Sequence, residues 1–337
     1  MISLITGASG FIGKKLIIEQ LSKNKKIAVF VKNKNKLGNL ATLPIITYEG
    51  DITNFNSLKQ AFIFLNSKNT IETVFHLAAN TKYWENKTIL YKDNVDSTIN
   101  LFNLACRYKV KNFIFTSSIE AMGTVSFNQI PANESSIPRP VSAYGWSKLE
   151  AENQLIELSK KNRNTNLTIL RLANVYGPDS PAFVLPIIRA MQTKNRFLKS
   201  SPYLQENIFH PIFIDDAIKG ISLAENNNLS GEIFIIAGEE FISLGDYFQK
   251  IALLMNINFK TPMKKPLTWL QLKIIHLFHK INKKADLIDY LLGAKNNRLH
   301  RAYSIEKARN YLTFSPEFNI NKGLAKTMGW LKENKLI

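Results

Sequence analysis

Apolar positions follow two rhythms along the chain. Short unbroken runs rich in β-branched and aromatic residues ("ISLIT", "IAVFV", "IITYE", "TVFHLA", "NFIFTS" and "LTILRLA") alternate with helically spaced segments at residues 10–22, 55–65, 95–108 and 144–160. A strand buried on both faces reads as a continuous apolar run, and strand–helix alternation builds a parallel sheet. The pattern predicts an α/β fold, a doubly wound parallel sheet over residues 1–178. After "YGPDSP" the rhythm breaks. A helix is expected near residues 183–194, and "IFHPIFIDDAIKGI" and "EIFIIAG" are expected to return to the sheet over residues 209–238. Residues 179–208 and 239–337 are expected to form a smaller, mostly helical C-terminal lobe that binds substrate, with Ser243-x-x-Asp246 opening one helix as a capping box.

Composition narrows the class. A chain of 337 residues, 45% hydrophobic and 21% charged, can bury a large core. The net charge of +18 would suit nucleic acid or an anionic membrane surface. Its lysines, however, are scattered and accompanied by asparagine ("KNKNK", "KKNRNTN"), with no arginine stripe or aromatic platform, so no nucleic-acid partner is expected. The single Cys106 excludes an internal disulfide framework and fits a reducing compartment. His276 and His279 read as packing or surface, and no metal site is expected. The N-terminus lacks the marks of a signal peptide, and no apolar run is long enough to span a membrane. A cytoplasmic protein is expected. The stretch "LTWLQLKIIHLFHKINKKADLIDYLL" admits surface association with a membrane, but a helix covering a substrate pocket is the preferred reading.

Candidate chemistry begins at the first strand–helix junction. Thr6-Gly7-Ala8-Ser9-Gly10-Phe11-Ile12-Gly13 supplies glycines for a tight turn, close approach to a pyrophosphate, and helix–sheet packing. Free amides at the helix N-terminus would meet the phosphates, as in a Rossmann dinucleotide site. The end of the second strand should read the adenosine ribose. It carries Lys32, with Lys34 and Lys36 close behind, in place of a carboxylate; this favours NADP, with NAD the alternative. Further along, "FIFTSS" brings Thr116, Ser117 and Ser118 to the carboxyl end of the sheet, where open α/β folds bind ligands. Tyr144 and Lys148 stand four apart on a predicted helix, hence on one face. A nearby ammonium would favour the phenolate of a tyrosine whose ordinary pKa is about 10.

With "GDI" at residues 50–52, "HLAA" at 76–79, Ser118, Tyr-x-x-x-Lys and "RLANVYGP", the chain resembles the extended short-chain dehydrogenase/reductase family, which includes epimerases and dehydratases. The resemblance runs from Met1 through "HPIFIDDA" to the terminal "FSPEFNINKGLAKTMGWLKEN". It implies an enzyme in which Tyr144 is the acid/base, Ser118 hydrogen-bonds the substrate oxygen, and Lys148 holds the nicotinamide ribose and tunes Tyr144. It implies that Asp51 and Ile52 contact adenine, and that Leu77, Ala78 and Ala79 line the cofactor. Asn94 would support the active-site lysine and the cofactor site, with Val175 near nicotinamide. Thr81, Glu120, Asn174 and His210 are the implied substrate residues. Helices around residues 92–109 and 144–161 resemble the family's dimer-forming pair, so a homodimer is expected.

Three outcomes share a first hydride step. Dehydratases of this kind commonly carry an Asp-Glu pair just after the active-site hydroxyl, whereas Ser118-Ile119-Glu120 keeps only the glutamate. Nucleotide-sugar enzymes often carry an arginine before the "HPIFIDDA" segment. Here "LQENIFHPIF" has none, although Arg189, Arg196, Arg298 or Arg301 could substitute. The resulting expectation is an NAD(P)-dependent oxidoreductase of a secondary alcohol or carbonyl compound, acting on a small molecule. A nucleotide-sugar epimerase is the alternative. A non-catalytic NADP(H)-binding regulator is a third reading, disfavoured because such proteins tend to lose the tyrosine retained here.

Overall fold

The run β1 (Ile2–Thr6) is buried at every position because it lies at the centre of a seven-stranded sheet. The computed structural model describes residues 1–83, 85–179, 183–192, 207–226, 230–258 and 300–337. Within them β2 (Ile27–Val31), β3 (Ile45–Glu49), β4 (Ile71–His76), β5 (Asn112–Ser118), β6 (Asn166–Leu172) and β7 (Glu232–Ile236) join β1 in the order β7-β6-β5-β4-β1-β2-β3, every pair parallel. Connections leave the sheet in opposite senses from β1 and β4. This is the doubly wound, Rossmann-type topology, with a switch point between those two strands.

Alternate strand residues feed two apolar layers. Leu4, Phe30, Val74, Phe113 and Phe115 pack with Leu58 and Phe62 of α2 (Phe55–Lys68), Leu101 and Phe102 of α4 (Ser97–Arg107), and Leu155 of α5 (Ala143–Lys161). On the other face Ile5, Val29, Phe75, Ile114 and Ile236 meet Leu16 and Ile17 of α1 (Phe11–Ser22) and the helix Ile214–Leu223. Each fully buried side chain of this size stabilises the fold by about 1.5–3 kcal/mol before entropy is counted. Before α4 the chain forms a short α3 (Lys87–Leu90) and then a π-turn over Tyr91–Asp96, so the apolar stripe of α4 begins later than its spacing predicts.

The segment 208–213, expected in the main sheet, forms separate small ladders instead. Pro211–Phe213 pairs with Asn174–Tyr176, and Ile208–Phe209 pairs with Ile242–Ser243. A strand that begins with proline lacks one ladder donor and suits an edge, so only Glu232–Ile236 returns to the seven-stranded sheet. Beyond it, Ser243 caps the helix Leu244–Leu254, with Oγ accepting from Asp246 N at 3.0 Å and donating to its carboxylate at 2.7 Å. Helices Glu306–Leu312 and Ile320–Glu333 follow. The expected helix at 183–194 is observed over Leu185–Gln192. His276, His279 and the amphipathic stretch 267–292 lie outside the described residues. Among the described residues no helix is long and apolar enough to cross a membrane, and no cluster of metal-ligating side chains occurs.

The segment leading into the C-terminal helix is tied to the core by a buried carboxylate. Asp216 accepts the backbone N–H groups of Glu317 at 2.8 Å and Phe318 at 3.0 Å. Asp216→Ala strands both donors and is expected to cost about 3 kcal/mol in urea unfolding. Asp216→Asn, which keeps one acceptor, should lose less; equal stability of all three proteins would show that this tie carries no weight.

Candidate active site

The loop after β1 lies against the loop after β4. Gly7 has φ +68, and a Cβ there would stand 2.6 Å from Ala78 N and 2.7 Å from the Leu77 carbonyl carbon. A Cβ on Gly13 would stand 2.3 Å from Gly7 O. Side chains at either position are sterically refused, leaving bare backbone at the head of α1. Gly10, Phe11 and Ile12 continue this cradle, and α1 begins at Phe11 with Gly10 as its extended N-cap. Backbone amides at a helix head, unobstructed by Cβ atoms at the switch point, fit a dinucleotide pyrophosphate. Leu77, Ala78 and Ala79 are half-buried along the opposite wall.

A buried hydrogen-bond chain runs from this loop to α5. Ala78 N–H donates to Thr6 Oγ1 (3.3 Å), and Thr6 Oγ1 is 2.8 Å from His76 Nδ1. His76 Nε2 is 2.8 Å from Thr98 Oγ1, whose own proton goes to Asn94 O at 2.6 Å. With that proton committed, Nε2 must donate and Nδ1 must accept, so His76 is the neutral Nε2–H tautomer. Burial, and secondarily the Lys148 charge, lower its pKa to about 3. Asn94, in the π-turn, gives its side-chain N–H groups to Asn80 O and Ser147 Oγ (both 2.9 Å) and accepts from Asn80 N at 2.7 Å. Ser147 Oγ then donates to Tyr144 O at 2.7 Å.

Tyr144 meets Ser118, and Lys148 lies one turn beyond Tyr144 on the same face of α5. Tyr144 is buried against Tyr83, ring centroids 5.6 Å apart, and its hydroxyl hydrogen-bonds Ser118. Lys148 is 2% exposed, with Nζ 4.2 Å above the Phe115 ring. Its pKa is lowered to about 7 by burial, opposed by the Glu152 carboxylate. Tyr144 departs from expectation: burial and then the Glu120 charge push it above the ordinary phenol range, and Ser118 only partly offsets them. The desolvation of a buried phenol outweighs the pull that spacing alone ascribed to Lys148.

Two buried ion pairs flank these groups. Glu152 pairs with Arg171 (2.7 Å) and also accepts from Ser117 Oγ, which takes Ser117 out of the open site. Glu120 pairs with Arg301, Nε to Oε1 at 3.1 Å, reaching across 181 positions of sequence. Arg301 stood among four candidate arginines in the sequence, of which Arg196 and Arg298 lie outside the described residues. Glu152 and Arg171 carried no signal there beyond buried charge in apolar runs.

Other predicted residues sit apart. Lys32 Nζ lies 2.7 Å from Asp51 Oδ2 at an exposed edge, and holds the Asp51 carboxyl down to about 2. Asp51 Oδ1 also accepts from Thr53 N at 2.9 Å, beside half-buried Ile52. Asn174 and Val175 lie on the short strand paired with Pro211 and Ile212. Thr81 is exposed. His210 has both ring nitrogens in use: Nδ1 accepts from Tyr303 N (3.2 Å), and Nε2 donates to Gly238 O at 2.9 Å.

The buried neutral His76 makes stability depend on pH. An unfolded histidine binds a proton below about 6.5, whereas folded His76 refuses one until about 3. Its contribution is therefore complete above pH 6.5 and is lost as pH falls towards 3. At pH 5 the loss is about 2 kcal/mol. His76→Gln should shrink the difference in urea-unfolding free energy between pH 7 and pH 5 by that amount. An undiminished difference in the folded variant would remove His76 as its source; His210, lowered to about 4, is untouched by the change.

Comparison with known proteins fits this geometry. The profile described as "NAD dependent epimerase/dehydratase family" matches residues 3–237. A dTDP-D-glucose 4,6-dehydratase of Dictyostelium discoideum is 30% identical over 271 residues, which is 74% of this chain and 61% of that protein. A UDP-glucuronate 4-epimerase of Thermodesulfobacterium geofontis is 27% identical over 98% of this chain and 96% of its own length. Among solved structures, the NAD complex of a UDP-glucuronic acid 4-epimerase from Bacillus cereus superposes with a TM-score of 0.76 at 23% identity, covering 99% of each chain.

Proposed function

Because the chain belongs to the NAD dependent epimerase/dehydratase family, we propose that it is a nucleotide-sugar epimerase, oxidising and re-reducing one secondary alcohol carbon of a nucleoside-diphosphate sugar. The observation that carries this reading is the likeness to a UDP-glucuronate 4-epimerase along nearly the whole of both chains. It reverses the order expected from sequence, in which net oxidation or reduction of a secondary alcohol stood first and epimerisation second. The third reading, a non-catalytic regulator, is disfavoured because the relatives named above are enzymes and the chain retains Tyr144, Lys148 and Ser118. Elimination is disfavoured by residue chemistry, since Glu120 lacks a preceding carboxylate and is bound by Arg301.

Nicotinamide, when bound, would supply a reversible hydride acceptor for the sugar carbon. The chain supplies the rest. Tyr144 Oη takes the hydroxyl proton as the carbon is oxidised and gives it back on reduction. Ser118 Oγ hydrogen-bonds the same oxygen and Tyr144, fixing the distance between them. Lys148, as ammonium, favours the phenolate and holds the ribose. Asn94 positions the turn and helix that carry Tyr144. The glycine cradle with Phe11 and Ile12 holds the pyrophosphate, Leu77, Ala78 and Ala79 exclude water along the cofactor, and Asp51 with Ile52 borders adenine. Asn174 and Val175 border the nicotinamide end. Thr81 and Glu120 face substrate, and His210, with both nitrogens occupied, shapes the wall without hydrogen-bonding the sugar.

We assign NAD as the cofactor. Lys32 would meet the extra phosphate of NADP only by leaving Asp51, and the nearest carboxylate would then repel that phosphate. Asp51→Asn should free Lys32 and move the NADPH-to-NADH affinity ratio towards NADPH by about tenfold at low salt, the gap narrowing as salt rises. An unchanged ratio in fluorescence titrations would remove the pair from cofactor choice. A homodimer is proposed through the outer faces of α4 and α5, where an open groove is lined by Lys87, Tyr91, Trp146 and Gln154.

Purified protein is expected to retain NAD and to interconvert UDP-glucose with UDP-galactose, or the corresponding uronates, without net change in nicotinamide absorbance. Tyr144→Phe should lower turnover about 10²–10⁴-fold with the fold intact. Stoichiometric NADPH consumption with a carbonyl substrate, and no isomerisation across that panel, would overturn the epimerase reading in favour of net reduction.

A further inference from the structure

Glu152 stands one helical turn beyond Lys148 on α5, so the two side chains share a face. Both are buried, at 0% and 2% exposure. Glu152 spans two neighbouring strands. Ser117 on β5 and Arg171 on β6 are register partners, and both donate to it: Ser117 through Oγ, and Arg171 through Nε (3.1 and 3.2 Å) and Nη2 (2.7 Å). One carboxylate therefore fastens the helix bearing Tyr144 and Lys148 to the strands that end in Ser118 and lead to Asn174.

The surroundings of Lys148 define what charge it feels. On its own helix are Tyr144 and Glu152. From β4 comes His76, neutral and fixed by Thr6 and Thr98. From β5 come the Phe115 ring and Ser117. Arg171 of β6 is reached through Glu152. A cation in such low-dielectric surroundings depends strongly on a single carboxylate and on whatever neutralises it.

We propose that the Glu152–Arg171 pair is a positioning device for Lys148, its carboxylate supporting the ammonium and its guanidinium limiting that support. Arg171 draws Glu152 to the sheet and cancels part of its field, leaving the lysine poised between its charged and neutral forms. Burial lowers Lys148 to about 7 while Glu152 opposes the fall, which is the balance such a pair would produce. Were the pair only a structural tie, breaking it from either end would have the same consequence. As an electrostatic device, its two ends act with opposite sign.

This inference rests on Lys148 being the active-site lysine, and its test does not require the reaction. The full chain is labelled with lysine carrying ¹³C at Cε, the Lys148 resonance is assigned through Lys148→Met, and its titration is followed by NMR. Glu152→Gln leaves Arg171 as an unbalanced cation and should move the titration down by about one unit; Arg171→Gln frees the carboxylate and should move it up by about one unit. Arg171→Lys, which keeps the charge, should restore most of the native value. If Arg171→Gln does not fold, Ser117→Ala carries the test, because losing a donor strengthens the carboxylate field and should raise the titration by a few tenths of a unit. Shifts of one sign from both ends, or no shift with Ser117→Ala, would overturn the proposal. Opposite shifts in a protein that isomerises no sugar would leave it standing and sink the functional reading instead.

Discussion

A histidine buried among three elements can satisfy both nitrogens in only one tautomer when one of its partners has already spent its proton. His76 is in that position: Thr98 donates to Asn94 O, so His76 Nε2 must donate to Thr98, and Thr6 must donate to Nδ1. The chain of donors has one direction throughout, from the Ala78 amide at the edge of the glycine cradle to the π-turn at Asn94. A π-turn is uncommon and costs regular helical bonding, and it occurs where a side chain must be re-aimed. Here it aims the Asn94 amide at both the Asn80 loop and Ser147 beside Tyr144. The glycine turn and the head of α5 are thereby joined by one continuous hydrogen-bond network.

Much of this was legible in the sequence. Strands β1 and β2 coincide with their apolar runs, because a strand covered on both faces has no polar alternation to blur its ends. Tyr144 and Lys148 were readable from helical spacing, and Gly7 and Gly13 from their place at a strand–helix junction. The π-turn was not, since its residues Tyr91–Asp96 satisfy an ordinary helical pattern. Nor was the departure of residues 208–213 from the main sheet: the run "IFHPIF" is apolar enough for either ladder, and Pro211 bears on the choice only once its partners are known. The Glu120–Arg301 pair joins segments far apart in sequence, and charge alone does not say which residues become buried together.

Desolvation governs the electrostatics of the site more than proximity does. Tyr144 and Lys148 both have their charged forms disfavoured by burial, in opposite pH directions. Each charged form is costly in the buried site, and one carboxylate bears on each: Glu120 raises Tyr144 further, and Glu152 opposes the fall of Lys148. Both carboxylates are held by buried arginines, Glu152 by Arg171 and Glu120 by Arg301.

The Glu120–Arg301 pair also settles how the C-terminal segment meets the core. Residues 300–303 run along the catalytic side: Val125 N donates to His300 O at 3.0 Å, Ala132 N to Ala302 O at 3.0 Å, and Tyr303 Oη to Gly123 O at 3.0 Å. Arg301 N donates in turn to Ile208 O at 3.0 Å, so the same four residues bridge the post-β5 loop and the segment following the sheet's interruption. A buried arginine at this junction is stable only while its carboxylate partner is in place, since an unpaired buried charge costs several kcal/mol. Glu120 lies two residues from Ser118 and bears on Tyr144, so docking of the C-terminal segment and the charge around Tyr144 are linked through the same contact.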